Sequence, residues 1–488
     1  MESVILGIYF LSLFILCLFG LHGLVMIYYY HRTEDAEKPN PELPDDLPNV
    51  TVQLPIFNEM YVVERLVKAV CALDYPREKL EIQLLDDSTD ETYEISAKVA
   101  AEFRECGFDI KHIHRTDRTG FKAGALRAGL DAASGEFVAI FDADFVPRPE
   151  FLKSTLPHFL RDGKVGMVQT RWEHLNEDYS FLTRAQAMAL DGHFVIEQQV
   201  RNRAGFFINF NGTAGIWRKS CIVDAGNWQS DTLTEDLDLS YRAQLRGWRF
   251  VFLNDVTSPA ELPAEINALK SQQFRWTKGA IETAKKMLPQ VWRSPDLSLE
   301  VKLQSTVHLA NNIVFPFILL VAILNVPIVI IKNSFTGYDE FYTIMSVFVL
   351  ASISTFMFYM YAQRAIHFDW RRRILLFPIF MAGSMGLAVN NSRAVIEALL
   401  NKKSEFVRTP KYSVKDIGDT WQDKKYVRKK LDKTVFVEIG LAVYYLFGIA
   451  ASLFYLEIAA IPFQLMFLAG FGFVGVLSLR HALGGKQG

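Results

Sequence analysis

The chain reads as an α/β domain with a mostly parallel sheet, inserted between membrane-spanning helices. Three observations predict this. Half of its 488 residues are hydrophobic and the mean hydropathy is +0.12, too apolar for a soluble protein of this length. A polar block from about Pro39 to Pro295 is flanked on both sides by apolar runs long enough to cross a bilayer. Inside that block, short alternating or continuous apolar runs take turns with helical patterns, the signature of strand–helix–strand units.

Val4 to Tyr30 is almost continuously apolar and reads as a retained membrane helix, within a first segment spanning 1–33. A secretory leader would carry basic residues first, and here Glu2 is the only charge before the run. A proline- and acid-rich linker, 34–49, follows. Residues 50–260 form the predicted catalytic-type domain. Its strands are Val50–Phe57, Leu80–Leu85, Asp109–His114 and Phe137–Phe141, and the helices between them are Met60–Leu73, Glu91–Cys106 and Phe121–Ala132. Residues 261–304 read as interfacial helices. Thr306–Ile331 and Phe341–Tyr361 make a membrane hairpin within 305–363, and Val435–Leu456 and Ala459–Leu479 a second within 434–480, followed by a tail at 481–488.

Between the hairpins, 364–433 holds the ambiguous segment Ile374–Val389, whose 16 residues include Pro378, Gly383 and Gly386. If it spanned the membrane, the twelve Lys and Arg of Arg393–Lys433 would lie outside, against the positive-inside rule. It is therefore expected to be a bent interfacial or re-entrant helix. That leaves five spans, with the domain, Arg371–Arg373 and Arg393–Lys433 all cytoplasmic, in an integral protein of the cell (inner or plasma) membrane. A net charge of −2 gives no reason to expect nucleic-acid binding. The four cysteines are widely spaced without a metal-binding pattern.

Polar residues cluster at the carboxyl ends of the predicted strands, where parallel α/β sheets bind ligands. Asn58–Glu59 and Asp86–Asp87 end the first two strands and converge where a nucleotide base and ribose could lie; turn or capping carboxylates are the bland alternative. Asp142 and Asp144, two apart on an extended segment, project to one side and suit Mg²⁺ or Mn²⁺ on a diphosphate, although the same pattern also enters ordinary helices. Arg118–Lys122 opens a helix with a glycine and two cations, which favours phosphate. Thr234-Glu235-Asp236 begins a helix: Asp236 suits a general base that takes a proton from a sugar hydroxyl, with Glu235 and Asp238 open as alternatives and a plain cap as the bland one. Gln272, Arg275 and Trp276 share about one helical turn and combine a phosphate-pairing guanidinium with an aromatic face for a sugar. An interfacial Arg–Trp pair beside a membrane span would look the same.

In this order the clusters resemble the D, DxD, TED, QxxRW pattern of family 2 glycosyltransferases, in the membrane-embedded, cellulose synthase-like branch. The resemblance covers nearly the whole chain. Val168–Trp172, Phe210–Gly215 and Glu235–Arg242 resemble most the plant mannan and glucan synthases of that branch. The resemblance implies a GT-A, Rossmann-like domain in which Asp87, with Asn58, Glu59, Asp86, Lys122, Asp142, Gln272 and Arg275, binds the nucleotide sugar, and Asp142 and Asp144 hold the metal. It implies that Asp236 is the base, and that Phe210, Asn211, Gly212, Thr213, Glu235 and Trp276 form the acceptor side. Phe406–Lys411 resembles the FxVTxK gating loop, with Phe406, Thr409 and Lys411 in their places and Arg408 where that pattern has valine.

The expected activity is inverting, metal-dependent, processive β-glycosyl transfer from GDP-mannose or UDP-glucose to a growing β-1,4-mannan, glucomannan or glucan that crosses the membrane, with room for accessory secretion subunits. One base, one metal and no second carboxylate nucleophile suit a single displacement. A single-sugar transfer to a ceramide, diacylglycerol or polyprenyl phosphate in the membrane is the alternative enzyme. A nucleotide-sugar-gated channel or receptor is the non-enzymatic one.

Overall fold

A computed structural model describes residues 2–33, 43, 46–427 and 431–483. Most of the predicted linker and the end of the tail, with Lys486, lie outside the described residues. Seven strands make one sheet: β1 (Val50–Ile56), β2 (Leu80–Asp86), β3 (Asp109–His114), β4 (Phe137–Ile140), β5 (Val165–His174), β6 (Gly215–Arg218) and β7 (Arg249–Ala260), in the order β3-β2-β1-β4-β6-β5-β7. β1 to β4 are mutually parallel, with Ile56 opposite Asp86 and Asp86 opposite His114, so their carboxyl ends form one level edge.

The sheet is mostly parallel, as expected: six strands run one way, and β6 alone lies antiparallel, between β4 and β5. Where β4 is an unbroken apolar run, Phe-Val-Ala-Ile, β6 reads Gly-Ile-Trp-Arg, with neither a continuous run nor a sustained alternation to mark it in the sequence. Helices cover both faces, as buried two-sided strands require. Val63–Cys71, Thr92–Glu105 and Phe151–Arg161 pack with Val52, Leu54 and Ile82 on one face. Phe121–Ala132 and Glu235–Leu245 pack with Ile140, Trp217 and Phe250 on the other.

Among the described residues, five helices are long and apolar enough to cross a membrane: Glu2–Arg32, Leu299–Ser334, Asp339–Ile366, Thr434–Phe454 and Ile458–Leu483. Their outer faces present large exposed apolar side chains such as Val4, Leu18, Ile344, Phe436 and Phe447, a burden that a soluble surface would not carry. Trp370–Gly386 and Ala388–Leu399 are two helices bent by 45° across Leu387. The Gly386 turn meets Gly470 so closely that a β-carbon on Gly386 would lie 2.3 Å from the Gly470 carbonyl.

Buried polar contacts fix the domain on these helices. Asp191 accepts from His174 of β5 (3.1 Å) and from Gln363 (2.9 Å) and His367 (3.2 Å) at the end of a membrane helix. Arg373 pairs with Glu177, and Lys270 with Glu438 at 2.7 Å. Each partner is costly to bury alone, so the pairs fix the register between the domain and the membrane segment.

Candidate active site

The level edge of the parallel strands opens into one cleft roofed by 406–411 and bounded by the helix Ile266–Arg293. At its donor end, Asp87 follows β2 and accepts both Arg115 Nε (2.7 Å) and Nη2 (2.5 Å). Arg118 lies over the Phe57 ring, 3.4 Å from its centroid. Asp86 does not face the cleft. Successive strand residues point to opposite faces, and Asp86 is fully buried, accepting from Ser88 N–H (2.8 Å) and contacting His112 Nε2 (2.8 Å). Asn58 is also a structural residue: in the left-handed region at φ +54°, it receives Thr89 N–H on its side chain (2.9 Å) and donates its own N–H to Ser88 Oγ (2.9 Å). It thereby ties the first two strand tips together. Glu59 does line the cleft, where burial pushes its carboxyl up to about 8 in spite of Arg408 and Lys411.

Lys122 enters from the first turn of Phe121–Ala132, a helix started by Gly120 at φ +76°. Its ammonium donates to Asp142 Oδ1 (2.5 Å) and to the Gly212 carbonyl (2.9 Å). Burial opposes that charge, but Asp142, Glu235 and Asp236 outweigh it and the pKa is raised. Asp142 and Asp144 both line the cleft, and each holds an ammonium: Lys122 on Asp142, Lys411 on Asp144 at 2.5 Å. Among the described residues no three His, Cys, Asp or Glu side chains converge as a protein-only metal site. Two carboxylates already balanced by cations do fit Mg²⁺ or Mn²⁺, which bind through one or two carboxylates plus substrate phosphates.

Besides the Lys411–Asp144 pair, the loop over the cleft and the residue that follows it are fastened at three further points. Phe406 stacks on Phe121 (5.6 Å) under the Arg275 guanidinium (4.6 Å). Arg408 reaches Glu59 (3.1 Å) while lying over Tyr426 (4.3 Å). Tyr412 N–H donates to Glu261 (2.9 Å). Several residues of the cleft wall, Arg118 (Nε), Trp172 (Nε1), Arg275 (Nε) and Thr409 (Oγ1) among them, carry a buried donor with no acceptor among the described residues. Unpaired buried donors are rare in folded proteins, and several around one cleft suit an anion rich in oxygens.

On the opposite wall, Asp236 sits in the first turn of Glu235–Leu245 with Oδ1 bonded to Leu237 N–H (2.8 Å). Burial, then the Glu235 charge beside it, raises its carboxyl well above the usual carboxylate range, against the pull of Lys122 and Arg275. Gly212, at φ +81°, makes room: a β-carbon there would lie 2.8 Å from Asp236 Oδ2. Of the two alternative bases, Asp238 is spent on Arg242 (2.8 Å) and Lys286 (2.9 Å), while Glu235 lines the cleft. Thr234 is no side-chain cap; its hydroxyl meets that of Thr283 (3.1 Å). Gln272, Arg275 and Trp276 all face the cleft from a helix whose first amides are capped by Glu265.

The acceptor segment divides. Asn211 and Gly212 line the cleft, whereas Phe210 is buried against Trp217 and Trp228, and Thr213 is buried and accepts Asp142 N–H (2.8 Å). Their contribution is to hold the lining residues in place. Cleft residues not foreseen as such are Trp172, His174, Glu261 and Arg408, and Arg115 was not foreseen as the partner of Asp87. The β2–β3 register does point to Arg115: with Asp86 opposite His114, the next residues are neighbours.

Residues 48–279 match the family described as Glycosyltransferase like family 2. Glucomannan 4-beta-mannosyltransferase 9 of Arabidopsis thaliana is 33% identical over 89% of this chain and 82% of its own. Glucomannan 4-beta-mannosyltransferase 1 of Oryza sativa subsp. japonica is 33% identical over 92% and 87%. Among solved structures, a mannosyltransferase of Pyrobaculum calidifontis, in complex with GDP-Man and Mn²⁺, covers 83% of this chain and 100% of that one with a TM-score of 0.55 at 19% identity, a likeness of fold.

Proposed function

Because the chain belongs to the family 2 glycosyltransferases, in their cellulose synthase-like branch, we propose that it is an inverting, processive β-mannosyltransferase. On this reading it extends a β-1,4-mannan or glucomannan from GDP-mannose. The observation that carries the chemistry is the pairing across one cleft of two cation-balanced carboxylates, Asp142 and Asp144, with a buried carboxylate of raised pKa, Asp236. The relatives' names, over about nine-tenths of the chain, support mannose and a polysaccharide acceptor.

Asp87 and Arg118 hold the nucleoside end of the donor. Arg275, Thr409 and Lys411 offer their donors to the diphosphate, and the closed 406–411 loop keeps water from the sugar. Asp142 and Asp144 would hold Mn²⁺ or Mg²⁺, which when bound offsets the charge of the departing diphosphate. The terminal sugar of the acceptor lies against Trp276 and Asn211, with its 4-hydroxyl at Asp236. As the oxygen bonds to the anomeric carbon, the carbon–phosphate oxygen bond breaks, GDP leaves and the hydroxyl proton passes to Asp236. A single displacement turns the α-linked donor into a β-linked product.

Arg371–Arg373 and Arg393 lie on the same side as the domain, Arg373 being paired with Glu177, and the positive-inside rule puts that side in the cytoplasm of a cell-membrane protein. Accessory secretion subunits are compatible with this arrangement. Purified protein given radiolabelled GDP-mannose or UDP-glucose, with Mn²⁺ or Mg²⁺, tests the reading. Mannanase-sensitive high polymer from GDP-mannose is expected; a single-sugar, organic-extractable product would overturn it in favour of a lipid acceptor.

A further inference from the structure

Beside the motif helix, and apart from the cleft, a groove of about 550 Å³ runs between the helices Phe181–Asp191, Phe377–Gly386 and Ile461–Leu483. That volume is typical of sites for small organic ligands, ~300–1,000 Å³. Its walls are mostly aliphatic and aromatic, small residues Ala185, Gly383 and Ala469 lie along it, and none of the described residues that line it is charged. Its rim residues Phe181, Ile379, Leu465 and Phe473 are about half exposed, so the groove is continuous with the lipid-facing surface of the membrane helices.

Four polar residues, Gln186, Gln273, Ser384 and Asn391, interrupt the apolar lining, and of these only Asn391 has a buried side-chain atom without a hydrogen-bond partner among the described residues. Asn391 is 1% exposed, and its Nδ2 has no acceptor among the described residues, while its Oδ1 accepts from Asn390 Nδ2 (3.0 Å). A buried amide left this way is costly unless a ligand supplies an oxygen. Water is a poor candidate in a mostly apolar space, since it needs several polar partners. The lining offers a glycan too few partners for its hydroxyls, and with no cation a phosphate would be unpaired inside.

We propose that this groove holds an acyl chain of a bilayer glycerolipid, with its ester carbonyl accepting from Asn391 Nδ2 and its phosphate head outside the mouth. The site lies next to the catalytic cleft: Gln273 lines the groove and its neighbour Gln272 lines the cleft, on the same helix. The proposal is independent of which sugar is transferred.

Full-length protein in nanodiscs containing phosphatidylcholine with a diazirine in its acyl chain provides the test, with crosslinked peptides mapped by mass spectrometry. Labelling is expected within 181–191, 377–386 and 461–474, alongside Phe447, which is exposed on the outer face of Thr434–Phe454. A β-carbon on Gly383 would meet nothing within 4 Å, so Gly383→Leu starts from open space and adds bulk to the groove. It should abolish groove labelling and leave Phe447 labelling unchanged; Asn391→Ala should reduce groove labelling in the same way. Groove labelling that persists in both variants, that is absent from the parent while Phe447 is labelled, or that disappears only while polymer is being made would overturn the assignment, the last in favour of a glycan path.

Discussion

The two walls of the cleft each present a pair of neighbouring carboxylates, and the pairs are treated differently. On the donor wall Asp142 and Asp144 each hold a lysine ammonium. On the wall proposed to face the acceptor, burial and then the neighbouring Glu235 raise Asp236 toward neutrality, against the pull of Lys122 and Arg275. A carboxylate paired with a cation is placed to hold charge. One whose charged form is disfavoured is suited to taking up a proton, because basicity near the working pH favours transfer. The difference between the walls therefore comes from burial and from where the charges stand, not from residue type.

Several experiments can break this contrast. The largest effect should follow metal removal by chelation or Asp142→Asn: loss of ~4 kcal/mol of transition-state stabilisation, about a thousandfold in kcat/KM, read in a GDP-release assay with Mn²⁺ restored afterwards. Gly212→Ala should come next, since the added carbon meets Asp236 at a left-handed backbone position. A penalty of ~1–3 kcal/mol predicts about a ten- to hundredfold fall in kcat with donor affinity held. Arg408→Val removes the link between loop and Glu59 and should raise the donor KM by about three- to tenfold at unchanged kcat, from a partly exposed ion pair worth ~1 kcal/mol. The pH profile gives the mildest test. Since the base must be ionised and its pKa is raised, activity should fall as pH drops through a value well above the usual carboxylate range. Glu235→Gln, by removing the neighbouring charge, should move that acid limb downward.

The donor half of the fold was readable because its units are local. β3 and the helix Phe121–Ala132 have the predicted bounds, and the acidic tips fall at strand ends because parallel units repeat that geometry. Local reading stopped where one residue decides orientation: Asp87 faces the cleft and Asp86 cannot, being one step along the same strand. The acceptor half is assembled from distant segments. Phe210 and Asn211 are adjacent, yet one fills the core and the other lines the cleft. Neither pattern nor propensity distinguishes them, because they lie in no regular element whose period would assign alternate residues to a face. The contact of Arg408 with Glu59 joins residues from opposite ends of the chain, and a departure from the family pattern becomes legible as a latch only once both are placed.

Nucleotide binding measured side by side in two variants tests the division of labour most directly. Calorimetric titration of GDP with Mn²⁺ into Asp236→Asn and Asp142→Asn, with transfer assayed on the same samples, should separate the walls. Asp236→Asn is expected to bind GDP as the parent does while transfer falls about 10²–10⁴-fold, and Asp142→Asn to lose metal-dependent binding. Equal loss of binding in both, or transfer retained in Asp236→Asn, would contradict the account.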